Sequence, residues 1–284
     1  MEGIKTSLLN AFIDASLRED IKDGDHTSLA CIPADARDTA RLIVKDKGVI
    51  AGVDFAEHVF KRLDPECRFE RLINDGSDVK YGDIAFTVET YSRTLLKGER
   101  LVLNTMQRLS GVSSLSRKFS RLVEDLPVTI LDTRKTTPLM RFLEKWAVRI
   151  GGCTNYRDGL YDWIMIKDNH IDASGNVQQA IRKVKDYLQI NNKDLGITVE
   201  VRDIEELKAV MEEGGVTRIM LDNFDLDNMR TAVELIGDRF ECEASGGVNI
   251  GTVRAIAETG VDFISVGALT HSAGSLDMSL KIVK

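Results

Sequence analysis

The second half of this chain is a series of short apolar runs that each close on polar or glycine residues, with helix-like sequence between them. From Pro127 onward they are 128–132, 164–167, 197–200, 218–222, 240–244 and 263–267. The last four begin at Ile197, Arg218, Phe240 and Phe263, intervals of 21, 22 and 23 residues. One strand, one helix and two short connections fit that spacing, so the pattern predicts repeated β/α units on a parallel sheet. So compact a repeat suits a TIM-like barrel; a doubly wound open sheet is the competing arrangement, and periodicity does not separate the two.

The first part has another texture. Leu9, Phe12, Ile13 and Leu17 recur at helical spacing until the turn residues Asp23, Gly24 and Asp25. Over 39–45, Ala40, Leu42 and Val44 alternate with Arg41, Ile43 and Lys45, the period of a strand. A second strand is expected over 84–91, and a long helix from Gly98 carries a stripe of Val102, Met106, Leu109 and Val112. Residues 1–112 are therefore expected to form an α+β domain and 113–274 the barrel, with the short tail 275–284 packing back on the first domain.

The chain has 284 residues, 43% hydrophobic and 29% charged, enough to bury a core without metal or disulfide staples. Its net charge of -7 argues against general nucleic-acid binding, although a local basic patch can still collect anions. Cys31, Cys67, Cys153 and Cys242 form no Cys-x-x-Cys pair, which excludes a zinc or redox motif of that type and points to reduced thiols. No apolar segment reaches the roughly 20 residues of a membrane span, and the opening Met1, Glu2 and Gly3 lack a secretory pattern. A cytoplasmic protein is expected.

Active sites of β/α barrels lie at the carboxyl ends of the strands, so the last residues of the runs are the ones to inspect. They are Asp132 with Arg134 and Lys135 just beyond, Lys167, Glu200, Asp222, Ser245 with Gly246 and Gly247, and Gly267 with Ala268. Any one of these could be a solvated strand end; their recurrence on most of the strands points to a site. The two glycine turns, each opening a helix, would aim backbone N–H groups at a phosphate. Between Arg134 and His170 stand Arg134, Lys135, Arg141, Lys145, Arg149, Arg157 and Lys167 against Glu144, Asp158, Asp162 and Asp168, a local balance of +3. Arg141, Lys145 and Arg149 fall one helical turn apart after Pro138 and read as a solvated helix face. The other cations are loop or strand-end residues suited to carboxylates and phosphates.

The run Asp132 to Pro138, with Gly151 and Gly152, Asn155 to Arg157, and Lys167 to His170, resembles the signature of quinolinate phosphoribosyltransferases, also called carboxylating nicotinate-nucleotide pyrophosphorylases. Matching pieces extend over nearly the whole chain: Glu19 to Asp25, Glu99 to Gly111, Glu200 and Val201, Leu221 to Asn223, Ser245 to Gly247, and Gly267 to His271. The resemblance implies an N-terminal α+β sandwich domain, an incomplete TIM-like β/α barrel, and a homodimer, with a hexamer as the alternative. It implies transfer of phosphoribose from phosphoribosyl pyrophosphate to quinolinate, yielding nicotinate mononucleotide, carbon dioxide and pyrophosphate.

By the same carry-over, Arg100 of a neighbouring subunit, Arg134, Arg157 and Lys167 would surround the two carboxylates. Lys135, Glu200 and Asp222 would be catalytic, the two acids also serving magnesium, Mg2+, as metal ligands. Ser245, Gly247, Gly267 and His271 would lie around the 5'-phosphate. At one position the chain departs from the family: Tyr156 stands where histidine is expected, offering a hydroxyl donor in place of a charge. Two other readings fit the same residues, a related pyrophosphorylase-like protein of molybdenum metabolism and a non-catalytic metabolite-binding barrel.

Overall fold

The computed structural model describes Met1 and residues 3–283; Glu2 and Lys284, at the ends of the expected first domain and its returning tail, lie outside the described residues. Two compact units divide the chain: Met1–Arg117 with Thr137–Gly152 and Ala273–Lys284, and Lys118–Thr136 with Cys153–Ser272.

The first unit opens with α1 (Thr6–Ile21) and α2 (His26–Cys31), followed by β1 (Arg37–Val44), β2 (Gly48–Val49), α3 (Val53–Leu63), β3 (Arg68–Arg71), β4 (Asp78–Val79), β5 (Ile84–Tyr91) and the long α4 (Ser92–Leu122). Alternation along β1 sends Ala40, Leu42 and Val44 inward, each at most 1% exposed, while Arg41 faces out. β1 and β5 pair antiparallel, with Leu42 opposite Phe86. The tail forms β12 (Met278–Ile282), which adds to the other edge of β1 with Leu280 opposite Leu42. The four-stranded order is β12-β1-β5-β3.

Residues 137–152 group with the first unit. Its helix α5 (Arg141–Ile150) sets Phe142 edge-on to Phe12, their ring centroids 5.8 Å apart, and Ala147 accepts a 2.8 Å bond from the Ser113 hydroxyl. Gly151 is required at this contact, since a Cβ there would stand 2.3 Å from the Ser116 Cβ. Of the expected solvated face of α5, Arg149 is exposed as expected and Lys145 is not. Lys145 is 2% exposed, and beside it the fully buried Glu144 receives Arg108 at 2.9 Å and the Thr137 hydroxyl at 2.7 Å. The helix begins at Arg141, after a turn in which Leu139 has φ +64°, so Pro138 precedes it without initiating it.

The second unit contains all six expected runs as parallel strands: β6 (Thr129–Leu131), β7 (Ile164–Ile166), β8 (Ile197–Val201), β9 (Arg218–Asp222), β10 (Glu241–Ser245) and β11 (Phe263–Ser265). Their order is β6-β11-β10-β9-β8-β7, so the first strand pairs with the last and the sheet curls into an incomplete barrel whose edges are β6 and β7. Helices α6 (Asp168–Ser174), α7 (Val177–Ile190), α8 (Ile204–Glu213) and α9 (Leu226–Ile236) connect successive strands, and α10 (Val253–Ala257) and α11 (Ala268–His271) are short. Local sequence starts the long ones: the side chains of Asn176, Asp203 and Asp225 accept from the backbone N–H three residues on, satisfying otherwise orphaned donors. Among the described residues, no helix is long and apolar enough to cross a membrane.

Candidate functional site

The carboxyl ends of the barrel strands enclose a cavity of about 860 Å³. Of the sequence-derived candidates, Arg134, Lys135, Tyr156, Arg157, Lys167, Glu200, Asp222, Ser245, Gly247, Gly267 and His271 all line it. Arg100 does not; it is an exposed residue of α4.

The loop after β6 is held from both directions. Asp132, fully buried, accepts the Tyr156 backbone N–H at 2.8 Å and the Asn155 amide at 2.6 Å, which fixes the segment carrying Tyr156 and Arg157. Further along, the Thr133 hydroxyl accepts from Lys135 N–H at 3.1 Å, and the Lys135 carbonyl accepts from the Thr270 hydroxyl at 2.8 Å. Gly267 leaves room for this arrangement, because a Cβ there would meet Lys135 Cδ at 3.0 Å. The Lys135 side chain is thereby placed by backbone contacts that leave its ammonium uncommitted to them.

Cations crowd one part of the cavity. Burial, and next the charge of Arg134, lower Arg157 below the usual arginine range, while its Nη1 donates to the Trp163 carbonyl at 3.3 Å. The Nε of Arg134 is buried and has no hydrogen-bond partner. An unpaired buried guanidinium nitrogen beside a second cation is costly unless an anion completes it. Lys167, at the end of β7, is already paired with Glu200 on β8.

The remaining wall combines an acid with glycine turns. Asp222 receives the Asn223 amide at 2.8 Å, and Asn223, at φ +55°, donates its own N–H to the Ser245 carbonyl at 2.9 Å. Gly246 must be glycine: its φ is +92°, and a Cβ would fall 2.2 Å from Asn223 Oδ1. Gly247, at φ +63°, faces open space instead. The helices that follow, α10 and α11, span five and four residues, so any anion here would be held chiefly by individual N–H groups, with little macrodipole behind them.

Sequence reasoning missed the floor. Arg218, 6% exposed, donates to Glu241 at 2.9 Å and to the fully buried Glu243 at 3.1 Å, and its guanidinium lies 3.6 Å from the Phe263 ring centre. Ser265, which lines the cavity, donates to Glu243 from below it. The available signal was an arginine opening one strand and two glutamates, Glu241 and Glu243, in the next. Tyr156 joins this buried group: its hydroxyl lies 2.6 Å from the Thr198 hydroxyl, and its ring meets Trp163 edge-on. Burial, and next the Glu243 carboxylate, push its phenol above the ordinary range.

Comparison with known proteins identifies the architecture. The N-terminal-domain pattern of quinolinate phosphoribosyl transferases matches residues 25–110, and the C-terminal-domain pattern matches residues 112–281. A decarboxylating quinolinate phosphoribosyltransferase of Nicotiana tabacum is 44% identical over 96% of this chain and 82% of its own length. A probable carboxylating nicotinate-nucleotide pyrophosphorylase of Synechocystis is 39% identical, covering 98% of this chain and 93% of that one. The solved NadC structure from Streptococcus pyogenes superposes with a TM-score of 0.93 at 35% identity, covering 100% of both chains. With both domains matched and the barrel closed in the same incomplete way, this chain belongs to the quinolinate phosphoribosyltransferase family.

Proposed function

We propose that the barrel cavity carries out the family's reaction, joining quinolinate to the ribose of phosphoribosyl pyrophosphate and releasing pyrophosphate and carbon dioxide. The observation that carries this reading is the meeting, in one cavity, of a cationic cluster with an uncompleted guanidinium and of two carboxylates on adjacent strands. Arg134, Arg157 and Lys167 suit a dicarboxylate, because guanidinium forks and an ammonium match its oxygens.

The pyridine nitrogen attacks C1 of the ribose as the bond from C1 to the pyrophosphate oxygen breaks. Positive charge builds on the sugar, and Glu200 and Asp222 supply fixed negative charge to favour it. Lys135 offers a compact cation to the departing pyrophosphate. The ring nitrogen of the adduct is cationic, so the adjacent C–C bond breaks with its electron pair left at C2, carbon dioxide departs, and C2 takes a proton to give nicotinate mononucleotide. Ser245, Gly247, Gly267 and His271 form the 5'-phosphate end, with His271 Nδ1 held 2.7 Å from the Ser272 hydroxyl.

No group of three or more candidate metal-ligating side chains occurs among the described residues. Two carboxylates without a third fit magnesium that arrives with phosphate oxygens, and do not fit a cage built by the protein alone. Glu200 and Asp222 would hold it, and its charge would neutralise the leaving pyrophosphate. Arg100, outside this cavity, is assigned to the site of a neighbouring subunit, which makes the active enzyme a homodimer. The reading is tested by incubating the purified chain with quinolinate, phosphoribosyl pyrophosphate and magnesium: nicotinate mononucleotide and carbon dioxide should appear in equal amounts. A folded protein that forms neither would overturn it.

A further inference from the structure

His170 closes the signature run that begins at Lys167, yet it is exposed and does not line the cavity. Its ring is turned back on the chain: the Lys167 backbone N–H donates to His170 Nδ1 at 3.0 Å. An amide N–H can only donate, so Nδ1 is the acceptor and the ring proton sits on Nε2. The Lys167 carbonyl, for its part, accepts from His170 N–H at 2.8 Å and from Ile171 N–H at 3.0 Å. Both backbone polar groups of Lys167 are thus tied to the first turn of α6. The sheet gives this residue little further support. β7 ends at Ile166 and is an edge strand, paired with β8 alone among the described residues. The N–H of a residue at a helix start has no partner inside the helix, and a glutamate or glutamine three residues on is the usual acceptor. Here a histidine ring fills that place.

We propose that His170 is a positioning residue, which fixes the backbone from which the Lys167 ammonium reaches either Glu200 or a substrate carboxylate. This rests on reading the cavity as a quinolinate site. Lys167 is paired with Glu200 on β8, so binding a dicarboxylate requires the ammonium to change partners. A flexible four-carbon stem has reach but little direction of its own, and the direction is supplied by where its Cα is held. With the peptide loosened, the ammonium settles on Glu200 and drifts from the dicarboxylate end. His170 acts through Lys167 and touches neither substrate, and its loss falls on quinolinate while phosphoribosyl pyrophosphate is spared.

Two substitutions at this position test the proposal. His170→Leu keeps bulk and removes the acceptor: KM for quinolinate should rise roughly tenfold, short of the loss on the order of 100-fold that a misplacement of about 1 Å can cause. KM for phosphoribosyl pyrophosphate should stay within about twofold of the parent. His170→Gln, whose side chain can accept the same N–H, should bring KM for quinolinate back to within about threefold of the parent. A parental KM in the leucine variant, or equal rises for both substrates, would reduce His170 to a structural cap and overturn the proposal. So would a glutamine variant as impaired as the leucine one. In a Lys167→Ala background, His170→Leu should add no further rise in KM for quinolinate. An undiminished rise there would show that His170 acts on something other than Lys167. The Lys167 amide gives a readout independent of turnover: its protection against hydrogen exchange should be kept in His170→Gln and lost in His170→Leu. Equal protection in parent and both variants would overturn the proposal as well. Should the parent chain make no nicotinate mononucleotide, the functional reading fails, whereas the exchange result still decides whether His170 holds the Lys167 backbone.

Discussion

Lys167 and Glu200 are ion-paired across neighbouring strands: Ile166 and Val199 are partners in the ladder between β7 and β8, and the next residue of each points its charge at the other. The cationic cluster thus carries an internal counter-ion. On the proposed function, Lys167 exchanges this partner for a substrate carboxylate, and Glu200 is released toward the ribose as the site fills.

Replacing Glu200→Gln separates those two duties. Quinolinate affinity, measured by equilibrium titration, should hold or improve, because Lys167 no longer has to leave a charged partner. The rate of transfer should fall on the order of 100-fold, the usual cost of losing one electrostatic contact to the transition state. Thermal stability should change by less than about 1 kcal/mol, since the Lys167 side chain is 42% exposed. Weakened quinolinate binding with an intact rate would reverse the assignment.

Arg100 lies outside the described cavity, so its proposed role requires a second subunit. Arg100→Ala and Lys135→Ala should each be nearly inactive alone. Mixed after reversible dissociation, random pairing in a two-fold dimer leaves about a quarter of the sites with both residues intact, and activity should return to about that fraction. Mixtures as inactive as their components would confine Arg100 to its own subunit or remove it from catalysis.

The turn after β10 depends on one missing side chain. Gly246→Ala places a Cβ against Asn223 Oδ1 at a backbone angle that side chains rarely adopt. Denaturant unfolding should show a loss of about 1–3 kcal/mol. Because Asn223 also holds Asp222, kcat should fall as well; a variant of parental stability and rate would show that the turn has slack.

In the first unit, His58 bonds Asn10 at 2.7 Å, and burial, and next the Arg62 charge, lower it from its ordinary 6.5. The unfolded chain therefore binds this proton more readily than the folded one, and stability rises with pH through the window below about 6.5. Thermal midpoints should decline from pH 7 to pH 5, and His58→Gln, which can still reach Asn10, should flatten part of that decline. Identical slopes in the two proteins would assign the acid sensitivity elsewhere.

The barrel was legible because its strands are buried on both faces, and continuous apolar runs at nearly even spacing are what such strands require. Their polar ends identified Arg134, Lys167, Glu200 and Asp222 as neighbours, since the fold gathers strand ends at one mouth. Arg218 and Glu243 were not legible: Arg218 opens one run and Glu243 lies in the next, 25 positions on, and their pairing exists only once β9 and β10 are side by side. Lys145 was misread for a related reason. Helical spacing says which residues share a face, but not whether that face meets water or another helix, and the close approach at Gly151 is decided by packing.

Because β6 and β7 are the two edges of the sheet, the residues assigned to the dicarboxylate stand on either side of a seam that no backbone ladder closes among the described residues. Arg134 follows β6, Lys167 follows β7, and the bridge from Leu131 to Thr154 stitches the β6 side to the segment leading to Arg157. A rigid ring with two adjacent acid groups, seized from both margins, would act as the rung the barrel lacks. Binding and closure of the barrel would then be one event, and hydrogen exchange along Thr129–Leu131 and Ile164–Ile166 should slow together when the ring is held.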